Sequence, residues 1–138
     1  MIQYIAENIK QPPLQKQKIN NWIKETAALY DKKVGQIAYI FCSDERILEV
    51  NKQYLNHDYF TDIITFDYSE GSVISGDLFI SLDTVLSNSR EFGDSFETEL
   101  LRILIHGVLH LCGQDDKTPE SRIEMTKKEN LALERYPK

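Results

Sequence analysis

The sequence has few cysteines, no long apolar run and no visible targeting segment, and each shortage excludes a class of protein. Two cysteines in 138 residues cannot build a disulfide framework, so we expect Cys42 and Cys112 to be reduced thiols in a cytoplasmic protein. No apolar stretch approaches the roughly 18 residues that a membrane span needs, so no membrane partner is expected. The N-terminus lacks a basic segment followed by an apolar core, so no secretory signal is predicted.

Positive charge is also scarce. The chain has 16 Lys and Arg residues against 22 Asp and Glu residues, a net charge of −6. An acidic protein does not attract nucleic acid through its overall field, so an RNA partner would need a local basic face. Six lysines near the start of the chain fit such a face or, more simply, a solvated helix surface: Lys10, Lys16, Lys18, Lys24, Lys32 and Lys33.

The patterning that is present indicates one α/β (α+β) domain over residues 1–138. Short β-rich runs predict strands at 2–5, 36–42, 62–67 and 73–81, with Gly76 marking a bend or bulge in the last. Helical periodicity begins near Leu14, after Ser43, over 83–91, over about 96–112 and after Thr118. This alternation predicts a small, mixed, mostly parallel sheet packed around a central buried helix, the one over 96–112.

That buried helix carries two of the three histidines. His106 and His110 lie four residues apart, so they share one helical face and could bind one metal ion from one side. Gly113 can end the helix in a left-handed conformation, and Asp116 can then offer a third ligand from the returning loop. The alternative, two core histidines without a metal, would leave buried polar atoms to satisfy. The pattern therefore predicts a metal site.

The residue after the first histidine excludes the simplest metallopeptidase. The helical H-E-x-x-H motif places a glutamate there as general base, but this chain has Gly107. A glycine at that point predicts instead that another group packs closely against the helix.

Several segments together resemble the YbeY family. Residues 106–116, HGVLHLCGQDD, are similar to its H-G-x-L-H-L-x-G-Y-D-H motif. The segments at 48–54, 61–66 and 76–81 resemble its L-N-x-x-Y-R, T-D-V-L-S-F and G-D-I-x-I-S patterns, in the same order along the chain.

The resemblance implies a metal-dependent endoribonuclease that acts on single-stranded ribosomal RNA in rRNA maturation and ribosome quality control. Its partners would be ribosomal RNA and the small ribosomal subunit, and a monomer is assumed. The resemblance also implies one divalent ion, with Zn²⁺ expected. His106, His110 and Asp116 would hold that ion and serve as the catalytic set.

The chain departs from the family pattern at the third histidine, whose position holds Asp116. A carboxylate is a legitimate zinc ligand, and two histidines with one carboxylate also suit iron. The change lowers the net charge of the site, so bound water should be less acidic and harder metals more competitive. Asp115 could be the ligand if the loop register differs.

A second departure is Leu55, at the position of the family's arginine, which would be a natural phosphate contact. His57, Arg90 or Arg102 could replace it. Glu99 and Arg102 could also orient the metal ligands by contacting them on the side away from the metal, or could form a helix-surface ion pair. Cys112 is predicted to be a small buried core residue, since it lies about 200° around the helix from His110.

The missing arginine leaves room for another reading, in which the protein is a ribosome-assembly binding factor with a structural or weakly active metal site. A metal-dependent hydrolase of another substrate, such as a peptide, is disfavoured by Gly107.

Overall fold

The computed structural model describes residues 1–55 and 61–137. Within them the strands are β1 (Ile2–Ala6), β2 (Lys33–Cys42), β3 (Ile63–Asp67) and β4 (Val73–Ser81). The helices are α1 (Lys16–Leu29), α2 (Asp44–Leu55), α3 (Leu82–Phe92), α4 (Phe96–Leu111) and α5 (Pro119–Arg135). No helix of this described part is both long and apolar enough to cross a bilayer.

The strands form one sheet in the order β1-β2-β4-β3. β1 and β4 both pair with β2 in parallel, whereas β3 runs antiparallel to β4 and forms one edge. The predicted mixed, mostly parallel sheet is confirmed. It arises because β1 returns to β2 through a helix, the usual way to connect parallel neighbours.

Helix α4 is the central buried element, as predicted. Leu104, Ile105, Val108 and Leu109 on it are fully buried, so apolar side chains surround the helix on most sides. Tyr39 of β2 donates a hydrogen bond from its hydroxyl to the Leu104 carbonyl oxygen at 2.9 Å, which ties the helix to the sheet.

The two faces of the sheet carry different helices. Residues that alternate along β2 and β4 on one face, such as Tyr39 and Leu78, pack in the main core with α1 and α4. The opposite face packs against α2 through a smaller cluster of Cys42, Ile47, Val50 and Ile64. Helices α2 and α4 therefore lie on opposite faces of the sheet.

The structure corrects one local prediction. The register shift of the sheet lies in β2, between Val34 and Ile37, and not in β4, where Gly76 pairs regularly with Ile37. A Cβ on Gly76 would lie 2.6 Å from the Phe66 carbonyl oxygen, so close backbone approach explains this glycine.

Candidate metal centre

A cavity of about 440 Å³ lies at the β3 edge of the sheet. Its walls come from four places: the end of α2, the approach to β3 with the strand itself, the buried helix α4, and the loop after α4. The lining residues are Asn51, Leu55, Thr61, Asp62, Ile63, Ile64, Thr65, His106, His110, Asp116 and Lys117. His106, His110 and Asp116 therefore share one cavity.

The sequence explains how Asp116 reaches the histidines. Helix α4 ends at Leu111, and Gly113 adopts φ +105°, a conformation that favours glycine and reverses the chain. The Gln114 N–H then donates to the Leu109 carbonyl oxygen at 3.0 Å, which holds the turn against the helix end. The loop consequently brings Asp116 Oδ2 to 3.4 Å from His106 Nε2.

That distance is the one that two ligands of a single ion require. Donors bonded at about 2.0–2.1 Å to a tetrahedral zinc ion lie about 3.3–3.4 Å apart. His106 and Asp116 thus have ligand spacing, and His110 lines the same cavity. No three His, Cys, Asp or Glu side chains within residues 1–55 and 61–137 come together as a complete metal-binding group. The spacing of the His106–Asp116 pair fits a divalent ion, and His110 lines the same cavity without forming a three-ligand group with that pair.

The neighbouring aspartate faces elsewhere. Asp115 Oδ1 accepts the backbone N–H groups of Asp116 at 2.7 Å and Lys117 at 3.0 Å. Asp115 therefore caps its own loop, as aspartates do in turns, and it does not line the cavity. Asp116 and Lys117 are presented to the cavity by the turn that Asp115 stabilises.

Behind His106 lies a carboxylate that the sequence motif does not reveal. Glu129 of α5 is 7% exposed, and its Oε2 is 2.6 Å from His106 Nδ1. Arg102 holds the other oxygen of this carboxylate, with its guanidinium 3.1 Å from Oε1. A carboxylate at Nδ1 keeps the proton on that nitrogen and leaves the Nε2 lone pair for the cavity. The Arg102–Glu129–His106 chain thus orients the imidazole so that Nε2 is directed at the cavity.

Charges around His106 shift its pKa. Burial lowers the pKa of His106, but the hydrogen bond that its ring donates to Glu129 and the negative charges of Glu129, Asp62 and Asp116 together raise that pKa above its ordinary value. Asp62, just before β3, lines the same cavity. Burial raises the pKa of Asp62, and nearby His106 only partly opposes that shift.

The other residues that the sequence suggested for the site differ in whether they line the cavity. Arg102 pairs with Glu129 as described, so it supports His106 and does not line the cavity; Arg90 does not line it either. Leu55 does line it. Glu99 is buried next to Arg102, and burial raises its pKa. His57 lies outside the described residues.

Cys112 packs on the core but is only partly buried, so the prediction of a buried residue is wrong in degree. Cys112 lies one residue past the end of α4, so it is not part of the buried helix itself. It does not line the cavity, in keeping with its predicted position away from His110.

Gly107 has the close neighbour that the sequence predicted. A Cβ at this position would overlap Leu78 Cδ2 of β4 and lie 3.2 Å from Ile63 Cδ1. The Leu78 side chain of the sheet therefore packs directly against the helix backbone at this glycine. A glutamate, as in the H-E-x-x-H peptidases, has no room at this point.

Three comparisons with known proteins agree. A sequence model of the family described as Endoribonuclease YbeY matches residues 4–137. Proteins named Endoribonuclease YbeY from Phocaeicola vulgatus and Bacteroides fragilis are 61% and 60% identical over 133 and 132 residues. These matches cover 96% of this chain in both cases, and 96% and 95% of the relatives. A solution structure of a Thermotoga maritima protein superposes with a TM-score of 0.66 at 28% identity, covering 97% of this chain and 87% of that one.

Proposed function

We propose that this chain, which belongs to the endoribonuclease YbeY family, cleaves RNA at the β3-edge cavity with a divalent ion held by His106, His110 and Asp116. Family membership makes the protein an endoribonuclease with a role in ribosomal RNA processing and a dependence on a divalent metal. Zn²⁺ is the ion we propose, because two imidazoles and one carboxylate form a common catalytic zinc set.

The spacing of His106 and Asp116, together with His110 in the same cavity, carries this proposal. Their facing atoms are 3.4 Å apart, and Glu129 keeps His106 Nε2 directed at the cavity. A histidine and an aspartate that form a simple ion pair without a metal can lie at the same separation. The support for a metal lies in the third donor: His110 reaches the same cavity from one helical turn further on.

A bound divalent ion would supply Lewis-acid stabilisation of the charge that develops on a phosphodiester during cleavage. The chain's own residues do the rest. Glu129 and Arg102 fix the His106 ring, and Asp115 fixes the loop that carries Asp116. Asp62 places a second carboxyl on the cavity wall, where it can accept or return a proton of the reacting groups.

The substrate we propose is single-stranded ribosomal RNA, in rRNA maturation and ribosome quality control on the small subunit in the cytoplasm. The cavity favours a single strand. It is a cleft of about 440 Å³ at a sheet edge, which an unpaired nucleotide can enter and a stacked base pair cannot. Unpaired RNA is also the form in which phosphodiester and bases are both accessible to side chains.

A ribosome-assembly binding factor is the second candidate. Leu55 favours it, since an apolar side chain stands in the cavity where the family pattern has an arginine. In that case the metal site would be structural or weakly active. A hydrolase of another substrate, such as a peptide, is a weaker candidate because Gly107 leaves no room for the glutamate base.

Two measurements test the proposal. Protein purified without chelators should carry about one equivalent of divalent metal per chain. His110→Ala should lose this metal, because the affinity for the ion depends on all three donors. Metal-loaded protein should cleave single-stranded ribosomal RNA, and His106→Ala should not. Absence of metal in elemental analysis would contradict the metal site. Equal background cleavage by both proteins, with RNA binding retained, would favour the binding factor.

A further inference from the structure

The charge balance of the cavity is unfavourable for an RNA phosphate. Asp62 and Asp116 both line it, and with two neutral imidazoles these two carboxylates would cancel the charge of a divalent ion. A phosphodiester carries a further negative charge. Binding it in this cavity therefore requires a cation that the proposed metal ligands do not provide.

Helix α2 does not supply that cation. The α2 residues on the cavity wall are Asn51 and Leu55, neither of them charged. Arg102, the basic residue nearest the histidines on α4, is held by Glu129 behind His106. Among the described residues that line the cavity, Lys117 is the one lysine or arginine.

The loop after α4 holds Lys117 in position. Its backbone N–H donates to Asp115 Oδ1 at 3.0 Å, and helix α5 begins two residues later, capped by Thr118. The stem of the side chain thus starts from a fixed turn directly after Asp116. Within the described part of the chain, no carboxylate forms an ion pair with the Lys117 ammonium group.

We propose that Lys117 is the phosphate-binding residue of this enzyme, contacting a phosphodiester oxygen of the RNA strand in the metal cavity. The inference rests on the proposed function, since it assigns a substrate contact within the same cavity. An exposed ammonium on a flexible stem binds a phosphate as a point charge, without the paired hydrogen bonds of an arginine. The chain thereby meets the charge requirement of RNA from the loop after α4 and not from α2.

The test compares charge-removing variants of two lysines. Lys117→Gln removes the charge in the cavity, and Lys127→Gln removes the same charge from an exposed position on α5 away from the cavity. Binding of a fluorescent, unstructured 2′-O-methyl RNA oligonucleotide, which resists cleavage, to the metal-loaded protein is measured by anisotropy over a range of salt concentrations. Cleavage by the metal-loaded proteins gives kcat and KM.

Lys117→Gln should weaken RNA binding by about two- to fivefold at low salt, the range for one exposed charge contact. It should also reduce the slope of log K against log salt by about 0.7, the value for one phosphate contact on a single strand. KM should rise more than kcat falls, because a ground-state contact is lost. Lys117→Arg should keep the slope, and Lys127→Gln should change neither the RNA affinity nor the slope.

A charge-relocation variant sharpens the test. Leu55→Arg combined with Lys117→Gln returns one cation to the lining of the same cavity and should recover most of the lost affinity and the salt slope. If Lys117→Gln behaves like Lys127→Gln while the wild-type protein binds and cleaves RNA, the inference is wrong and the proposed function stands. If wild-type protein neither binds nor cleaves RNA, both are wrong.

Discussion

Glu129 Oε2 lies 2.6 Å from His106 Nδ1 and joins the final helix to the histidine helix at the cavity. The carboxylate is nearly buried and is also held by Arg102. The same contact serves the fold and the site, because it packs α5 on α4 while directing the free imidazole nitrogen at Asp116. A substitution of Glu129 should therefore change the affinity for metal more than it changes the affinity for RNA.

Removing this carboxylate should weaken the metal site. Glu129→Gln keeps an oxygen that can accept the Nδ1 proton but loses the charge, and Glu129→Ala loses both. We expect metal affinity to fall by about 10- to 100-fold in the alanine variant and less in the glutamine variant. Competition with a chromophoric chelator measures it. Glu134→Gln, an exposed change on the same helix, is the control, and an affinity equal to that control for Glu129→Ala would refute the orienting role.

The two adjacent aspartates should behave differently. Asp116→Ala should abolish tight metal binding, because it removes a donor at ligand distance from His106. Asp115→Ala should retain metal with reduced affinity, because it loosens only the turn that Asp115 stabilises. Asp116→His should keep zinc and favour it over harder metals such as manganese. Metal content after dialysis distinguishes these outcomes; loss of metal in Asp115→Ala alone would reverse the assignment.

Gly107→Ala should destabilise the protein by about 1–3 kcal/mol, because the added methyl group overlaps Leu78 in a close-packed core. Urea unfolding followed by circular dichroism measures the free energy of unfolding. Leu78→Ala alone should also destabilise, by about 2–5 kcal/mol, through the cavity it leaves. The double variant should be less unstable than the two single effects added together, since each change relieves the other. Strict additivity would show that the two residues do not compete for space.

The thiols should be unreactive in the native protein. Burial raises the pKa of Cys42 to about 12 and that of Cys112 to about 11, against an ordinary value of 9.0. Only the thiolate reacts, so at pH 8 alkylation of Cys112 by iodoacetamide should be about a hundredfold slower than in urea, and Cys42 slower still. The rate should increase as pH rises toward 11. Mass spectrometry after timed alkylation checks this, and rapid native labelling at pH 8 would contradict it.

Local sequence patterns determined the main features of the helix that carries the two histidines. The 3.6-residue period placed His106 and His110 on one face of a helix, and the all-round apolar character of that helix showed that it would be buried. Gly107 indicated that another group packs closely against the helix, and that group is the Leu78 side chain. Gly113 indicated the helix end, since a left-handed residue is a local property of the chain.

The tertiary structure decided which distant residues meet these histidines. Glu129 lies 23 residues beyond His106 on a mostly polar helix, so no local period distinguishes it from the other acids there. Asp115 and Asp116 are indistinguishable in sequence until the turn directs one carboxylate onto its own backbone and the other into the cavity. Asp62 and Lys117 join the site only because β3 forms the sheet edge that α4 packs against. Periodicity encodes the faces of single elements, whereas contacts between elements depend on how the whole core packs.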